Sequence, residues 1–395
     1  MKVIYSIGSK FGGHGIGGVA LHAVQGIYRE RALKKVLASY QGKILNPKFE
    51  APNKHQILNS KTRIPKRYVK TMGLVGRGLR RLAYWDQTGW GYVVHDNIFD
   101  RWAASQLEPC DIFHGWNHHC LFSLRRAKEL GAVTVVERAS SHILTQNELL
   151  QEEYKRWGVS EKPIRPWVIK KCLAEFEEAD YITVPSQFAY DSMVQRGVAE
   201  KKLLLIPFGV TLEEFGSYNK ESIFVALFVG EVGLRKGIPY LLQAWSELNL
   251  KDAELWLVGA VAADIKKVVE KYRDCEDIKF LGFRRDVPEL MAKADIFVFP
   301  SIEEGSALVT YETMAAGLPV ITTPNAGSLV RDSLDGYLIP IRDPDALAER
   351  IEFFYKYPEQ AKVMGESGRE RVSAFTWERY GEELVKAYIK MLKST

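Results

Sequence analysis

The chain has 395 residues, of which 46% are hydrophobic and 26% are charged. This is the composition of a globular protein, and it excludes a disordered chain, a collagen-like fibre and a small disulfide scaffold. The length predicts two large domains. No stretch reaches 18 consecutive apolar residues, so no membrane-spanning helix is predicted. The net charge of +5 is uneven, because residues 1–216 hold 31 basic and 21 acidic residues (+10) while the remainder holds 23 and 28 (−5).

The four cysteines form no CxxC pair, so neither a zinc site nor a redox motif is predicted. The apolar run at the N-terminus is too short for a signal peptide and fits a first buried strand better. A reducing cytoplasm is therefore the expected location.

Short apolar runs alternate with stretches of helical periodicity along the chain. The predicted strands are Val3–Ile7, Asp111–His114, Val133–Glu137, Tyr181–Pro185, Leu203–Ile206, Ser222–Val229, Glu254–Val258, Ile278–Leu281, Ile296–Pro300 and Pro319–Thr322. Most of these runs are apolar throughout, as strands buried on both faces are. Strand–helix alternation predicts an α/β fold with parallel sheets.

A polar, glycine-containing stretch at 209–222 interrupts this series and marks the predicted domain boundary. The predicted domains are residues 1–212 and residues 213–375, each with its own doubly wound sheet. An amphipathic helix is predicted over Trp377–Leu392.

A glycine-rich loop follows the first strand, with Gly13, Gly15 and Gly18 in a GxGxxG pattern. Glycines at this position let backbone N–H groups approach a diphosphate at a helix N-terminus. A dinucleotide site would also need an acid at the end of the second strand, but residues 36–42 hold none. The pattern therefore disfavours NAD and leaves two interpretations, a loop that faces another phosphate or a tight turn with close helix packing.

Residues 61–81 contain eight basic residues and no acid. The apolar residues Val69, Met72, Val75, Leu79 and Leu82 in and beside this segment have helical spacing. A basic amphipathic helix of this kind can lie on an anionic membrane surface. The alternative is a helix that packs its apolar face inward and leaves its cations in water. Nucleic acid is not expected as a partner, since no reading motif is present.

Two motifs in the second half follow predicted strands and so fall at one sheet edge. Arg235 and Lys236 come after the strand that ends at Val229, and Glu304 and Glu312 come after the strand that ends at Pro300. Arg and Lys can neutralise a diphosphate. The helix start near Gly305 offers free backbone N–H groups to a phosphate or a sugar. The two acids lie about two helical turns apart, so we expect them to hold different parts of one elongated ligand rather than to act as a pair.

Over residues 203–340 these motifs, in this order and spacing, resemble the retaining glycosyltransferases of the GT-B fold, in their large fourth sequence family (glycosyl transferases group 1). The elements that carry the resemblance are Pro207–Val210, Arg235–Gly237, Leu281–Phe283, the E-x7-E spacing of Glu304 and Glu312, and Gly317–Val320. The resemblance implies two Rossmann-like domains facing across a cleft, with residues 376–395 crossing back to the N-terminal domain.

The resemblance also implies site roles. Arg235 and Lys236 would hold the donor diphosphate, Glu304 would contact the donor sugar, and Glu312 would bind the ribose hydroxyls. The remaining implied donor contacts are Gly17 and Gly18 at the phosphates, Gly282, Phe283 and Arg284 at the base, and Gly305, Ser306, Ala307 and Leu308 at the sugar and phosphate. The donor would be a UDP-, GDP- or ADP-sugar, used without a cofactor.

One position departs from the family pattern D-x-x-H-x-H. The run begins at Asp111 and His114, but Trp116 stands where the second histidine is expected. Either His118 takes over that catalytic role or the role is absent. The only DxD, at Asp343–Asp345, is explained as a helix N-cap, so no metal is predicted.

The implied function is the transfer of a sugar, of the hexosyltransferase type, to a hydroxyl acceptor with retained anomeric configuration and without a metal. The acceptor would be a glycan, a lipid-linked molecule or a small molecule, in polysaccharide or glycolipid synthesis. We expect a cytoplasmic enzyme with peripheral association at the inner face of the membrane. The alternatives are a nucleotide-sugar epimerase, a phosphorylase on the same fold, or a non-catalytic nucleotide-sugar-binding protein.

Overall fold

The computed structural model describes residues 1–12, 15–41, 64–85, 90–160, 163–212 and 223–394, without the side chains of Gln41, Arg80 and residues 83–85. The predicted domain boundary adjoins residues 213–222, which lie outside the described residues. Gly13 of the first glycine loop and residues 61–63 of the basic segment also lie outside them.

The first sheet has seven parallel strands in the order β3-β2-β1-β4-β5-β6-β7. Its strands are β1 Val3–Phe11, β2 Leu33–Gln41, β3 Val69–Thr71, β4 Ile112–Trp116, β5 Val133–Glu137, β6 Tyr181–Val184 and β7 Leu203–Leu205. Its helices are α1 Ile16–Arg29, α2 Gly73–Trp85, α3 Trp90–Ser105, α4 Leu121–Glu129, α5 Ile143–Arg156, α6 Pro166–Glu178 and α7 Gln187–Gln195. The central strands β1, β4 and β5 are almost wholly buried, as their apolar sequences predict.

The second sheet has six parallel strands in the order β10-β9-β8-β11-β12-β13. Its strands are β8 Phe224–Val229, β9 Ala253–Val258, β10 Ile278–Gly282, β11 Ile296–Phe299, β12 Val320–Thr322 and β13 Gly336–Leu338. The helices that follow are α8 Ile238–Leu248, α9 Lys266–Val269, α10 Val287–Lys293, α11 Leu308–Ala315, α12 Pro344–Lys356, α13 Pro358–Val372 and α14 Trp377–Ser394. One hydrophobic core surrounds this sheet, and two cores flank the first.

Each sheet reverses its strand order once, between β1 and β4 in the first and between β8 and β11 in the second. The loops after these four strands therefore diverge at a crevice, which is where open α/β sheets bind ligands. The first glycine loop follows β1, and the run Trp116–Cys120 begins at the end of β4. In the second sheet, the loop after β8 carries Arg235–Lys236, and the loop after β11 carries Glu303–Ala307. The switch points thus gather the motifs that the sequence singled out.

The last helix, α14, returns to the first sheet, as the resemblance implied. Gly26 of α1 and Gly381 of α14 meet so closely that a Cβ built on Gly26 would lie 2.5 Å from the Gly381 Cα. Tyr388 pairs with His114 Nδ1 at 2.7 Å, and the Tyr380 hydroxyl donates to Glu137 Oε1 at 2.8 Å. The C-terminal helix is therefore fastened to the N-terminal sheet by both packing and buried hydrogen bonds.

The predicted strands do not include β2, β3 and β13, although residues 36–42 were predicted to end a second strand. The helical spacing predicted from Val69 was wrong at its start. Val69–Thr71 pairs with β2 as a strand, and the helix begins only at Gly73. Three residues are too few to show a period, so pairing with a neighbouring strand decides their conformation. The predicted N-cap role of Asp343 is confirmed, because its carboxylate accepts from the Ala346 N–H at 2.9 Å.

None of the helices within the described residues is both long enough and apolar enough to cross a membrane.

Candidate active site at the switch point of the second sheet

Arg235 and Lys236 lie in a single 3-10 turn directly after β8. Gly237 ends the turn with φ +70°, and a Cβ there would lie 2.0 Å from the Pro300 carbonyl oxygen. Glycine is therefore required by both its conformation and its neighbour. This close approach brings the turn against the loop that follows β11.

Glu304 contacts both basic side chains, whereas the sequence predicted only that the two motifs lie at one sheet edge. Arg235 Nη2 donates to Glu304 Oε2 at 3.1 Å, and Lys236 Nζ donates to Glu304 Oε1. Burial, and after it the charge of Arg235, lowers the pKa of the Lys236 amine to about 7. The permanent charge at this site therefore comes from Arg235, whose guanidinium does not titrate.

Glu303 is the residue of this site that the sequence did not single out. It is fully buried and accepts hydrogen bonds from Ser140 Oγ at 2.7 Å, Ser141 Oγ at 2.7 Å and Gln146 Nε2 at 3.0 Å. Arg235 Nε donates to the Glu303 carbonyl at 2.9 Å and to its Oε2 at 3.2 Å. Burial alone would raise the pKa of Glu303, but Arg235 and the two serines outweigh it and lower that pKa to about 2.

These contacts join the two sheets at the site. Ser140, Ser141 and Gln146 follow β5 of the first sheet, whereas Glu303 follows β11 of the second. Ser186 Oγ also donates to the Gly305 carbonyl. A Cβ on Gly305 would lie 2.1 Å from the Ala139 carbonyl oxygen, so only glycine fits there. No signal in the sequence could have identified Glu303, because all partners of its carboxylate except Arg235 lie more than 150 residues away.

The start of α11 offers backbone donors, though not at every predicted position. The Ala307 N–H already donates to the Ala326 carbonyl at 2.9 Å, and Ser306 Oγ donates to the Tyr311 hydroxyl at 3.0 Å. The N–H groups of Leu308 and Val309 have no hydrogen-bond partner among the described residues. Of the four predicted backbone donors, Gly305 to Leu308, Ala307 is therefore the one that another of the described residues already engages. Glu312, in the same helix, is half-buried.

The residues predicted to border a base lie at the end of β10. Gly282 has φ +64°, and its carbonyl accepts from the Gly259 N–H at 2.8 Å. Phe283 is largely exposed, and Arg284 is paired with Asp286. An exposed aromatic ring at a strand end is available for stacking on a base.

In the first glycine loop, Gly17 and Gly18 support close packing. A Cβ on Gly17 would lie 2.2 Å from the Lys10 carbonyl oxygen. The Gly18 N–H donates to the Gly15 carbonyl at 2.9 Å. These contacts are those of the tight turn, one of the two interpretations left open by the sequence.

Trp116 and His118, at the end of β4, lie in different environments. Trp116 is buried, and its Nε1 donates to the Tyr5 hydroxyl at 2.8 Å, so this side chain is part of the packed sheet. His118 has φ +60° and is partly exposed. Its Nδ1 lies 3.1 Å from Asp96 Oδ2, and its backbone N–H donates to the Glu175 carboxylate.

His118 also belongs to a cluster with Asp96 and His119, whose ligand atoms all lie within 4.8 Å of one another. A cluster of this kind could hold a metal ion. Burial, followed by the neighbouring His118, lowers the pKa of His119 to about 4. His119 is therefore neutral at physiological pH, and in this structure it lies 3.4 Å from Asp96 Oδ1.

Residues 223–356 match the family model of the Glycosyl transferases group 1. This match, which lies in the second half of the chain, agrees with the resemblance carried by the motifs of that half. The matched segment contains the whole second sheet together with Arg235, Lys236, Glu303, Glu304 and Glu312.

Curated relatives extend the match. EpsD of Bacillus subtilis is 31% identical over 247 residues, which are 57% of this chain and 63% of EpsD. The UDP-Gal:alpha-D-GlcNAc-diphosphoundecaprenol alpha-1,3-galactosyltransferase of Escherichia coli is 31% identical over 174 residues, 38% of this chain and 44% of that protein. The chain thus spans less than two thirds of the length of these relatives.

Solved structures match over nearly the full length. WaaG, a glycosyltransferase involved in lipopolysaccharide biosynthesis, superimposes with a TM-score of 0.66 at 18% identity and covers 98% of this chain and 99% of WaaG. Anabaena HepE in complex with UDP-glucose gives 0.67 at 16% identity, with 99% and 100% covered. The fold is therefore GT-B, as predicted.

Proposed function

We propose that this protein is a retaining glycosyltransferase that moves a sugar from a nucleotide-sugar donor to a hydroxyl acceptor without a metal ion. The observation that carries the proposal is the contact of Glu304 with both Arg235 and Lys236 at the switch point of the second sheet. Two basic side chains and a carboxylate converge there, and the N–H groups of Leu308 and Val309 at the start of α11 have no partner among the described residues.

The chemistry of the proposed reaction follows from these groups. A departing nucleoside diphosphate develops negative charge on its phosphate oxygens. Arg235, Lys236 and the N–H groups of Leu308 and Val309 are donors suited to that charge. Glu304 would exchange its contact with the two cations for one with the donor sugar. In a retaining front-face transfer the leaving phosphate oxygen would help to deprotonate the acceptor hydroxyl.

The remaining assignments are part of the same proposal. Glu312 would accept from the ribose hydroxyls, and Phe283 would border the base. UDP is the favoured nucleotide, because HepE was solved with UDP-glucose. His118 would face the acceptor, since Asp96 at its Nδ1 would leave Nε2 as a free acceptor. A lipid-linked acceptor is favoured by the E. coli relative, whose name includes diphosphoundecaprenol.

The test is donor hydrolysis across a panel of UDP-, GDP- and ADP-sugars in EDTA, for the wild type, Glu304→Ala and the control Glu349→Ala. Glu349 is an exposed glutamate of α12 that pairs with Arg350 and lies outside the candidate active site. We expect release of one nucleoside diphosphate by the wild type and the control, and a loss of about a hundredfold or more in Glu304→Ala. Equal rates in all three proteins would contradict the role of Glu304.

Additional measurements distinguish the proposed function from the alternative mechanisms and functions. An α-linked product from an α-linked donor, observed by NMR, supports retention, and a β-linked product contradicts it. Activity that appears only when zinc or manganese replaces EDTA would contradict metal independence and would direct attention to Asp96, His118 and His119. Epimerisation of the donor without transfer would favour an epimerase. Absorbance from pyridoxal in the purified protein would favour a phosphorylase. Thermal stabilisation by a donor, without turnover on any acceptor, would favour a binding protein.

A further inference from the structure

Helix α2 presents apolar side chains to solvent. Leu74 is 78% exposed, Leu82 is 70% exposed, and Val75 is also exposed. Counted from Leu74 as position i, Val75 is i+1, Gly78 is i+4, Arg81 is i+7 and Leu82 is i+8. This spacing places all five residues on one face of the helix. The opposite face packs inward, where Gly76 meets the Ser39 carbonyl. The apolar face of α2 is therefore not the face that the core uses.

The neighbouring helices α3 and α6 extend this apolar surface. Trp90, Val94 and Ile98 are exposed at successive i+4 positions of α3. Trp167, at the start of α6, is 59% exposed, and its ring lies 6.3 Å from that of Trp90. Helices α3 and α6 are fastened together by Lys171, which pairs with Asp100 at 2.7 Å. We call the exposed apolar side chains of these three helices the α2–α3–α6 face: Leu74, Val75, Leu82, Trp90, Val94, Ile98 and Trp167.

Cations predominate around this face. Exposed cations lie on it or next to it in the chain: Lys66, Arg67, Lys70, Arg77, Arg81 and Lys170. None of them forms an ion pair with a carboxylate of the described residues. Helix α2 contains no acid, and the two acids of α3, Asp96 and Asp100, are buried. On α6, Glu177 is exposed and Glu178 pairs with Arg125. The surface is therefore apolar, rich in tryptophan and predominantly positive.

We propose that the α2–α3–α6 face docks on an anionic lipid bilayer, with α2 and α3 lying in the plane of the interface. A helix with an apolar face and flanking cations binds such a surface by burying its apolar side chains and pairing its cations with lipid phosphates. Tryptophan is the side chain most favoured at the level of the headgroups. This proposal does not rest on the proposed function, because none of these residues belongs to the candidate active site.

The charge pattern favours a bilayer over a second copy of the chain. Two copies meeting through this face would bring two predominantly positive surfaces together, which costs free energy. A bilayer surface with anionic headgroups offers the complementary charge over the whole face. The first 216 residues, which contain the face, carry +10, whereas the rest of the chain carries −5.

The experiment is sedimentation of the full chain with vesicles made of equal parts phosphatidylglycerol and phosphatidylcholine, and with phosphatidylcholine alone. We expect the wild type to sediment with the anionic vesicles and to be released by high salt. Binding should weaken by about tenfold or more in the triple variant Leu74→Ser, Val75→Ser, Leu82→Ser, and in the variant Arg77→Gln, Arg81→Gln. Because all five side chains are exposed, the variants should fold, and unchanged thermal unfolding checks this.

The matched control is Leu334→Ser with Val363→Ser, which removes two exposed apolar side chains from the half of the chain that carries the second sheet. It should bind vesicles like the wild type. The proposal is overturned if the wild type does not sediment with anionic vesicles, or if the control loses as much binding as the triple variant. A dimer in lipid-free solution that the triple variant dissociates would assign the face to a second copy and would also overturn it. Donor hydrolysis in solution is measured on the same triple variant. A variant that loses vesicle binding but keeps the hydrolysis rate of the wild type separates the membrane proposal from the proposed function.

Discussion

At the scale of single residues, the carboxylate of Glu303 holds Arg235 in place. Its side chain and carbonyl both accept from the Arg235 Nε, which leaves the outer guanidinium nitrogens to face Glu304 and a ligand. A buried carboxylate is tolerated here because five donors surround it. Glu303 is thus a positioning residue for the cation that the proposed reaction needs.

Acid should weaken the fold through Glu303. Because its folded-state pKa is depressed to about 2, its stabilising contribution is present above pH 4.5 and is lost as the pH falls toward 2. The contribution is about 3 kcal/mol. We expect the unfolding free energy of Glu303→Gln to be lower at neutral pH and to fall less between pH 4.5 and 2 than that of the wild type. Denaturant titrations at several pH values measure this.

The control for Glu303 is Glu349→Gln, an exposed carboxylate that should leave the pH profile unchanged. A Glu303→Gln profile parallel to that of the wild type would contradict the assigned pKa. Turnover adds a readout that stability alone does not move, since a misplaced Arg235 should raise the KM for the donor.

At the scale of elements, α2 shows how position decides the effect of a glycine. Gly76 and Gly78 are two residues apart in one helix. A Cβ on Gly76 would lie 2.2 Å from the Ser39 carbonyl oxygen, whereas a Cβ on Gly78 meets nothing within 4 Å. The first glycine is required by the approach of α2 to β2, and the second only weakens the helix.

Alanine substitutions should therefore act in opposite directions. Gly76→Ala should destabilise the protein by about 1–3 kcal/mol, because the backbone of α2 or β2 has to move. Gly78→Ala should stabilise it by about 0.5–1 kcal/mol, because it removes the entropic cost of glycine in a helix. Thermal and denaturant unfolding of both variants measure the difference. Equal effects of the two substitutions would show that α2 does not pack on β2 through Gly76.

At the scale of the whole molecule, the two sheets are held together by buried charge as well as by the site itself. Arg342, after β13, donates to Glu153 Oε2 at 2.7 Å, to Glu152 at 3.0 Å and to the Leu149 carbonyl at 3.0 Å, all on α5. The Tyr240 hydroxyl of α8 donates to Glu153 as well, at 2.9 Å. Glu153 is fully buried, so its carboxylate takes its ion pair and its hydrogen bonds from protein groups rather than from water.

Removing Arg342 should cost about 3 kcal/mol or more, because Arg342→Ala leaves the Glu153 carboxylate buried with its charge unpaired. The control is Lys356→Ala, which breaks an exposed pair with Glu352 in the same half of the chain and should change stability by less than about 1 kcal/mol. Calorimetry of the two variants makes the comparison. If Arg342→Ala unfolds like the control, the two sheets do not depend on this contact.

The sequence by itself determined the α/β class, most strands of both sheets, the resemblance of the second half to the glycosyl transferases group 1, and the placement of Arg235, Lys236 and Glu304 at one sheet edge. These features are local, because apolar runs, glycine turns and motif spacing depend on residues near one another in the chain. The carboxyl ends of parallel strands then meet at one edge whatever the rest of the chain does.

Only the tertiary structure decided the rest. The short strands β3 and β13 form because a neighbouring strand pairs with them. Glu303 acquires its role from serines on the other sheet, and Trp116 is buried because Tyr5 and the sheet enclose it. The apolar face of α2 is exposed because the opposite side of the helix, which carries Gly76, packs against β2. In each case the deciding partner is distant in sequence, so no local pattern could have carried the information.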